Sequence, residues 1–299
     1  MHFKQISTEY FGKYVYEKMC KNKISIPFYI FAFFVLVSVD FFREMLYNVR
    51  RKIFQFRRMT MTAEQIKQEI CEVGHRLYAH GFVAANDGNI SVKVGENEFY
   101  CTPTGVSKGS LTPDMIIKID AEGNKLEGTL NPSSEIKMHL RVFRERPDVN
   151  AVVHAHPPVA TAFTVAGIPL DRYILPEAVL TIGDVPTCDY ATPSTMEIPD
   201  SLMPYIQEHD AFMLKNHGAL TVGNTLTRAF FTMEEVEFNA KIMKHAMELG
   251  RIQEISEEKM YELMDLRVKM GIPGKHPGYK TAEERAKNPA STLNNPALN

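Results

Sequence analysis

Apolar positions change their spacing along the chain, and the changes mark out elements. Ile66, Ile70, Val73 and Leu77 recur at helical intervals behind Thr62 and Gln65, which have the spacing of a capping box, and Gly81 is a stop signal. Short β-like runs follow at Ile90–Val94, Phe99–Cys101 and Met115–Asp120, separated by Gly- and Pro-rich turns. Pro132-Ser133-Ser134 reads as the cap of a second helix with apolar Ile136, Leu140 and Phe143, ending at Arg146-Pro147. Ala151–His154 has the pattern of a buried strand, and residues 158–166 that of a helix. Ala211–Leu214 and Ala219–Val222 flank Lys215-Asn216-His217-Gly218 as a hairpin or bent strand, and a long amphipathic helix covers about 225–249. Short strands alternate irregularly with helices. That order predicts a three-layer α/β/α sandwich around a mainly antiparallel sheet, spanning about residues 61–270. There is no internal repeat.

The pattern breaks at both ends. Residues 1–58 carry 11 Lys+Arg against 4 Asp+Glu and hold 15 of the chain's 30 Phe and Tyr. The remainder carries 23 and 32, a net −9. Ile24–Val39 is a run of 16 uncharged residues, short of the ~20 that span a bilayer. The basic residues flank it on both sides, and no small-residue cleavage site follows. Three readings stay open: a short membrane anchor over about 24–42, an interfacial segment, or upstream sequence preceding a true start at Met59 or Met61. The last is favoured, because Met61-Thr62 opens a well-formed domain. From Gly271 onward three Gly and four Pro fall in 29 residues, the composition of an irregular, partly disordered tail.

Over the whole chain, 44% hydrophobic and 23% charged residues are globular values, and exclude a disordered, collagen-like or polytopic membrane protein. A net charge of −2 argues against nucleic acid as partner. Four cysteines without a CxxC are not a disulfide framework, which fits a cytoplasmic setting with reduced thiols.

The candidate chemistry begins at His154-Ala155-His156. Residues two apart on a strand share a face, so the two imidazoles can share one metal ion. Alone, such a pair is more often structural. Asn216-His217-Gly218 adds a third histidine at a turn, and Ser133-Ser134-Glu135 adds a carboxylate at a helix start, where it also suits the helix dipole. Three histidines and a carboxylate suit a catalytic divalent site, Zn2+ first. Gly88-Asn89, Thr102-Pro103-Thr104-Gly105 and Ser133-Ser134 supply hydroxyls, an amide and a helix start of the kind that cradles phosphate. There is no Walker A or GxGxxG pattern.

Taken in order, Gly-Asn-Ile-Ser (88–91), Thr-Pro-Thr-Gly (102–105), Pro-Ser-Ser-Glu (132–135), His-Ala-His (154–156) and Asn-His-Gly (216–218) resemble the class II aldolase/adducin family. The likeness is nearest its L-fuculose-1-phosphate aldolase subgroup and spans about residues 62–250. It implies a homotetramer and one Zn2+ per subunit on His154, His156 and His217, with Glu135 as fourth ligand or catalytic acid/base. It implies substrate phosphate on Gly88, Asn89, Thr104, Gly105, Ser133 and Ser134. Tyr173 would protonate an aldehyde oxygen across a subunit interface, and Tyr261 and Tyr279 are candidates for a C-terminal catalytic tyrosine. The implied reaction cleaves a ketose 1-phosphate to dihydroxyacetone phosphate and a short aldehyde, and no lysine of these motifs is needed for it. Three other readings share the scaffold: L-ribulose-5-phosphate 4-epimerase, a methylthioribulose-1-phosphate dehydratase-like enzyme, and a non-catalytic adducin-like module. Glu135, where the epimerase motif has Asp, favours the aldolase; retention of all three histidines disfavours the adducin-like module.

Overall fold

Thr62 caps the first helix as its spacing with Gln65 predicts. Its hydroxyl accepts from Gln65 N, and the Gln65 side chain accepts from Thr62 N at 2.8 Å. The resulting helix α1 (Ala63–Ala79) opens the domain in a computed structural model that describes residues 61–278. The 1–58 extension with its apolar run at 24–39, Tyr279 and the rest of the tail lie outside the described residues.

Among the described residues eight strands form one sheet. They are β1 (Asn89–Lys93), β2 (Glu98–Cys101), β3 (Ile117–Asp120), β4 (Lys125–Glu127), β5 (Ala151–Ala155), β6 (Thr187–Cys188), β7 (Ala211–Leu214) and β8 (Gly218–Gly223). Their order is β4-β3-β2-β1-β5-β8-β7-β6, and every pairing is antiparallel except β6 with β7. The other helices are α2 (Ile136–Glu145), α3 (Pro158–Ala166), α4 (Pro176–Thr181), α5 (Glu197–Ser201), α6 (Leu226–Leu249) and α7 (Glu257–Met270).

Side-chain alternation divides the core in two. Ala151, Val153 and Ala155 of β5 face a layer containing Ile70 and Leu77 of α1, Phe163 of α3 and Phe230 and Met233 of α6. Val152 of the same strand faces the opposite layer, with Met138, Val142 and Phe143 of α2 and Ile198 of α5. The expected α/β/α sandwich is therefore the observed one.

Element boundaries depart from the sequence reading in places. Residues 113–115 form a short helical turn and β3 starts only at Ile117. The cap of α2 is Glu135 itself, with Ser133 Oγ accepting from Glu135 N at 3.3 Å, so Ser133 turns the chain two residues earlier. Beyond α7, residues 271–278 have no extended regular element, yet they are held down. Arg267 donates to Pro273 O and Gly274 O, Lys275 N donates to Asp210 Oδ2 at 2.9 Å, and His276 is buried against Val179 O. No helix among the described residues is long and apolar enough to cross a membrane.

Candidate active site

His154 lies on β5, on the face covered by α2, and is fully buried. Its Nδ1 faces Ala219 O on β8 at 2.9 Å. A carbonyl can only accept, so Nδ1 carries the proton and the Nε2 lone pair points away from the sheet ladder. His156 follows just past the strand end, fixed by its backbone N–H on Phe82 O. Its Nδ1 is 3.6 Å from Asp87 Oδ2, leaving Nε2 inward. His217 sits in the β7–β8 turn, where Asn216 takes a left-handed φ of 57°. Gly218 lets that turn close: a Cβ there would stand 2.5 Å from both Ala155 O and His156 Cδ2.

The three rings converge. Their candidate ligand atoms all lie within 4.8 Å of one another. His154 Nε2 and His156 Nε2 are 3.2 Å apart. Glu135, at the start of α2, reaches into the same space, with Oε1 3.3 Å from His217 Nε2 and Oε2 3.6 Å from His154 Nε2. A tetrahedral ion with ~2.0–2.1 Å arms separates its ligands by about 3.3–3.4 Å, so the donor set fits a divalent ion such as Zn2+ in type, and the contacts of 3.2, 3.3 and 3.6 Å lie close to that separation.

The charges agree. Burial pushes the His154 pKa down to about 3, and burial lowers that of His156 as well. The two imidazoles are thus neutral, and a cation between their facing Nε2 atoms would take up the lone pair of each. Burial pushes Glu135 upward. Its hydrogen bond to His217, the neighbouring histidine charges and Asn89 outweigh that, holding it well below the usual carboxylate range. The Glu135 carboxylate makes no capping bond to its helix. It accepts instead from Asn89 Nδ2 at 2.7 Å, so helix-end stabilisation does not account for it.

A cleft of about 230 Å³ opens on this cluster. Asn86, Asp87, Gly88 and Asn89 form one wall, Pro103 and Thr104 another, and Ser133, Ser134 and Ser194 a third. A bridge between Pro103 and Pro132 and the bond from Thr104 N to Asn131 O bring the last two walls together. Gly88 takes φ 73°, and a Cβ there would stand 2.8 Å from His154 O, so the loop presses directly on the histidine strand. The Asn89 Oδ1 is buried without a hydrogen-bond partner among the described residues.

Of the residues singled out from sequence, Gly88, Asn89, Thr104, Ser133, Ser134, Glu135, His156 and His217 line this one cleft, and His154 lies buried beside them. Gly105 is not part of the lining. Tyr173 is elsewhere in the chain: it donates to Asp184 Oδ1 at 2.9 Å and packs with Tyr261 against Val179, Met260 and Met264. Asp87 and Ser194 were not anticipated. Asp87 had a signal, standing next to Gly88-Asn89. Ser194, bonded to Ser134 Oγ at 2.7 Å from sixty positions downstream, had none.

The model of the Class II Aldolase and Adducin N-terminal domain matches residues 68–243, more than half of the chain. The chain belongs to the class II aldolase family. An L-fuculose phosphate aldolase of Methanococcus vannielii is 37% identical over 175 residues, which are 58% of this chain and 93% of the relative. A 3-oxo-tetronate 4-phosphate decarboxylase of Escherichia coli K12 is 31% identical over 184 residues, 60% of this chain and 86% of that one. A solved L-fuculose 1-phosphate aldolase superposes with a TM-score of 0.64 at 30% identity, covering 69% of this chain and 97% of its own. Aldolases and decarboxylases both break carbon–carbon bonds, and the chain is a lyase of this family. Within the class II aldolase scaffold, the matched region contains all three histidines, Glu135 and every wall of the cleft.

Proposed function

We propose that this lyase cleaves a ketose 1-phosphate to dihydroxyacetone phosphate and a short aldehyde. One observation carries the reading: a carboxylate and three imidazoles converge at the end of a cleft walled by hydroxyls, an amide and a helix start. His154, His156, His217 and Glu135 would hold one Zn2+, and when bound the ion supplies Lewis-acid stabilisation of the negative charge that bond cleavage leaves on oxygen.

The chain's own groups do the rest. Gly88, Asn89, Thr104, Ser133 and Ser134 hold the phosphate. Glu135, ionised and oriented by Asn89, takes up the proton released from the substrate hydroxyl that becomes the aldehyde and returns it to the carbon that loses its bond to the aldehyde fragment. Asn89 Oδ1, buried and unpaired, is placed to accept from a substrate hydroxyl. A role for Tyr173 on the aldehyde oxygen requires a second copy of the chain to bring it to the cleft, and the likeness to the family is the reason we infer a homotetramer. A cytoplasmic location fits a sugar-phosphate substrate.

The decarboxylase relative defines the competing substrate. Loss of CO2 from a 3-oxo acid phosphate leaves the same kind of enolate, which the same site would stabilise. The test is a panel of ketose 1-phosphates and 3-oxo acid phosphates, with release of dihydroxyacetone phosphate and of CO2 measured separately. Turnover of a ketose 1-phosphate, lost on chelation and restored by Zn2+, is expected. CO2 release alone would replace the aldolase reading, and full activity in metal-free protein would refute the site.

A further inference from the structure

Lys108 is among the most deeply buried side chains of the chain, 1% exposed. Lysine almost never occupies such a place without a partner, because burying its charge is costly. Its Nζ donates to Asn86 O and to Val106 O, each at 3.0 Å. Both acceptors are neutral carbonyls. Asn86 begins the loop that forms one wall of the cleft, and Val106 ends the loop that contributes Pro103 and Thr104 to another. One ammonium thus bridges the two walls from behind.

The base of the strut is fixed too. The short turn Lys108–Ser110 packs under α1 at Gly74, where a Cβ would fall 2.7 Å from Leu111 Cδ1 and 3.1 Å from Lys108 O. Burial lowers the Lys108 pKa to about 8, and Asp87 and Glu135, both cleft residues, are the charges that pull it back. The lysine therefore senses the cleft electrostatically without reaching into it. A buried cation bonded only to carbonyls adds a positive field to a cleft that otherwise holds two carboxylates.

We propose that Lys108 is a positioning residue for the substrate phosphate: its ammonium ties the two cleft loops together and places a fixed positive charge behind them. This rests on the sugar-phosphate reading above, and the experiment separates the two. Inorganic phosphate is titrated into the metal-loaded full-length protein, wild type, Lys108→Met and Lys108→Gln, by calorimetry. Steady-state kinetics with the best ketose 1-phosphate are measured alongside. Lys108→Met removes charge and donors; Lys108→Gln keeps amide donors and removes the charge.

In both variants the phosphate Kd and the substrate KM should rise tenfold or more, with kcat changing less than threefold and one metal per chain retained. No phosphate binding by the wild type defeats the sugar-phosphate reading itself. Wild-type binding with a Kd within twofold in folded Lys108→Met overturns the role of Lys108. Full recovery of phosphate affinity in Lys108→Gln overturns the charge and leaves a neutral staple. Failure of both variants to fold also overturns the proposal, because a residue acting on the phosphate leaves the fold standing.

Discussion

Two of the buried polar clusters among the described residues are built on opposite plans. Around Arg146, every donor is spent. Its five N–H groups go to Asp148 Oδ1 and Oδ2, Asp210 Oδ1, Ile206 O and His209 O. Asp210 uses its second oxygen on Lys275 N. The cluster is closed and asks for nothing from outside. Around Glu135 the plan is open. Three imidazoles and a carboxylate share a few ångströms, one Asn89 oxygen has no partner among the described residues, and the nitrogens of His154 and His156 face each other. Burial is common to both, so burial alone does not mark a site. What marks it is capacity left unsatisfied among the chain's own atoms and aimed at a shared point.

The sharpest way to break the contrast is to change one atom in the open cluster. Glu135→Gln keeps shape and the Asn89 contact but removes the base. Activity should fall about 10²–10⁴-fold, equivalent to about 3–5 kcal/mol of barrier. The denaturation midpoint should stay close to wild type. Exchange of the dihydroxyacetone phosphate C3 proton with deuterated solvent isolates the step, since it needs no aldehyde. Exchange at the wild-type rate would show that Glu135 moves no proton.

The matching change in the closed cluster is Arg146→Met. It leaves Asp210 and Asp148 without their cation, and Asp210 is already pushed upward by burial. Removing one partner of a buried pair costs about 3–5 kcal/mol. Urea denaturation should show that loss, while metal content and the kcat of the folded fraction stay near wild type. A variant as stable as wild type but inactive would mean that the closed cluster, too, serves the chemistry.

The two plans were not equally legible. The open cluster was readable because its parts come from short motifs whose geometry is local. A strand aligns His154 with the residue two ahead, and a four-residue turn fixes His217. The layers were readable too, since α1, α2 and α6 are long enough for periodicity to show. The five-residue α5 and the two-residue β6 are too short for any period, and Ser194 reaches Ser134 only through the tertiary fold. Lys108 gave no hint: in Ser107-Lys108-Gly109 it reads as an exposed turn, and only packing against α1 buries it. The closed cluster was missed for the same reason: apart from Asp148, its partners lie sixty or more positions from Arg146.

Acid should weaken the surroundings of both clusters alike. His139, bonded to Ser91 Oγ below the cleft, and His276, bonded to Val179 O near the closed cluster, are each lowered by burial to about 4. Each folded pKa lies below the ordinary 6.5, so between pH 6.5 and 4 the unfolded chain binds more protons. Stability is then level above pH 6.5 and falls as the pH drops through that window. By pH 4.5 the loss should be on the order of 2–3 kcal/mol per histidine, at 1.36 kcal/mol per pH unit. Urea titrations at pH 7, 5.5 and 4.5 measure it, and His276→Gln should remove its own share of the slope, with His139, His154 and His156 carrying the rest. Equal stability at pH 7 and 4.5 would mean these rings are charged in the folded protein.

The smallest effect tests how far the open plan extends. His154 is oriented by a backbone carbonyl that no substitution removes, whereas His156 depends on Asp87, whose side chain is half exposed and 3.6 Å from Nδ1. Carboxylates that orient a ligand histidine contribute about 10–100-fold to metal affinity. The length and exposure of this contact place Asp87→Ala at the lower end, about tenfold or 1.4 kcal/mol. Competition with a metal-binding dye reads that directly, and the fold should be unaffected because Asp87 carries none of the core. An unchanged affinity would mean that His156 is held by its backbone bond to Phe82 and by packing alone, and the open cluster would then end at Glu135 and the three histidines. A loss well beyond a hundredfold would instead mean that Asp87 itself reaches the metal.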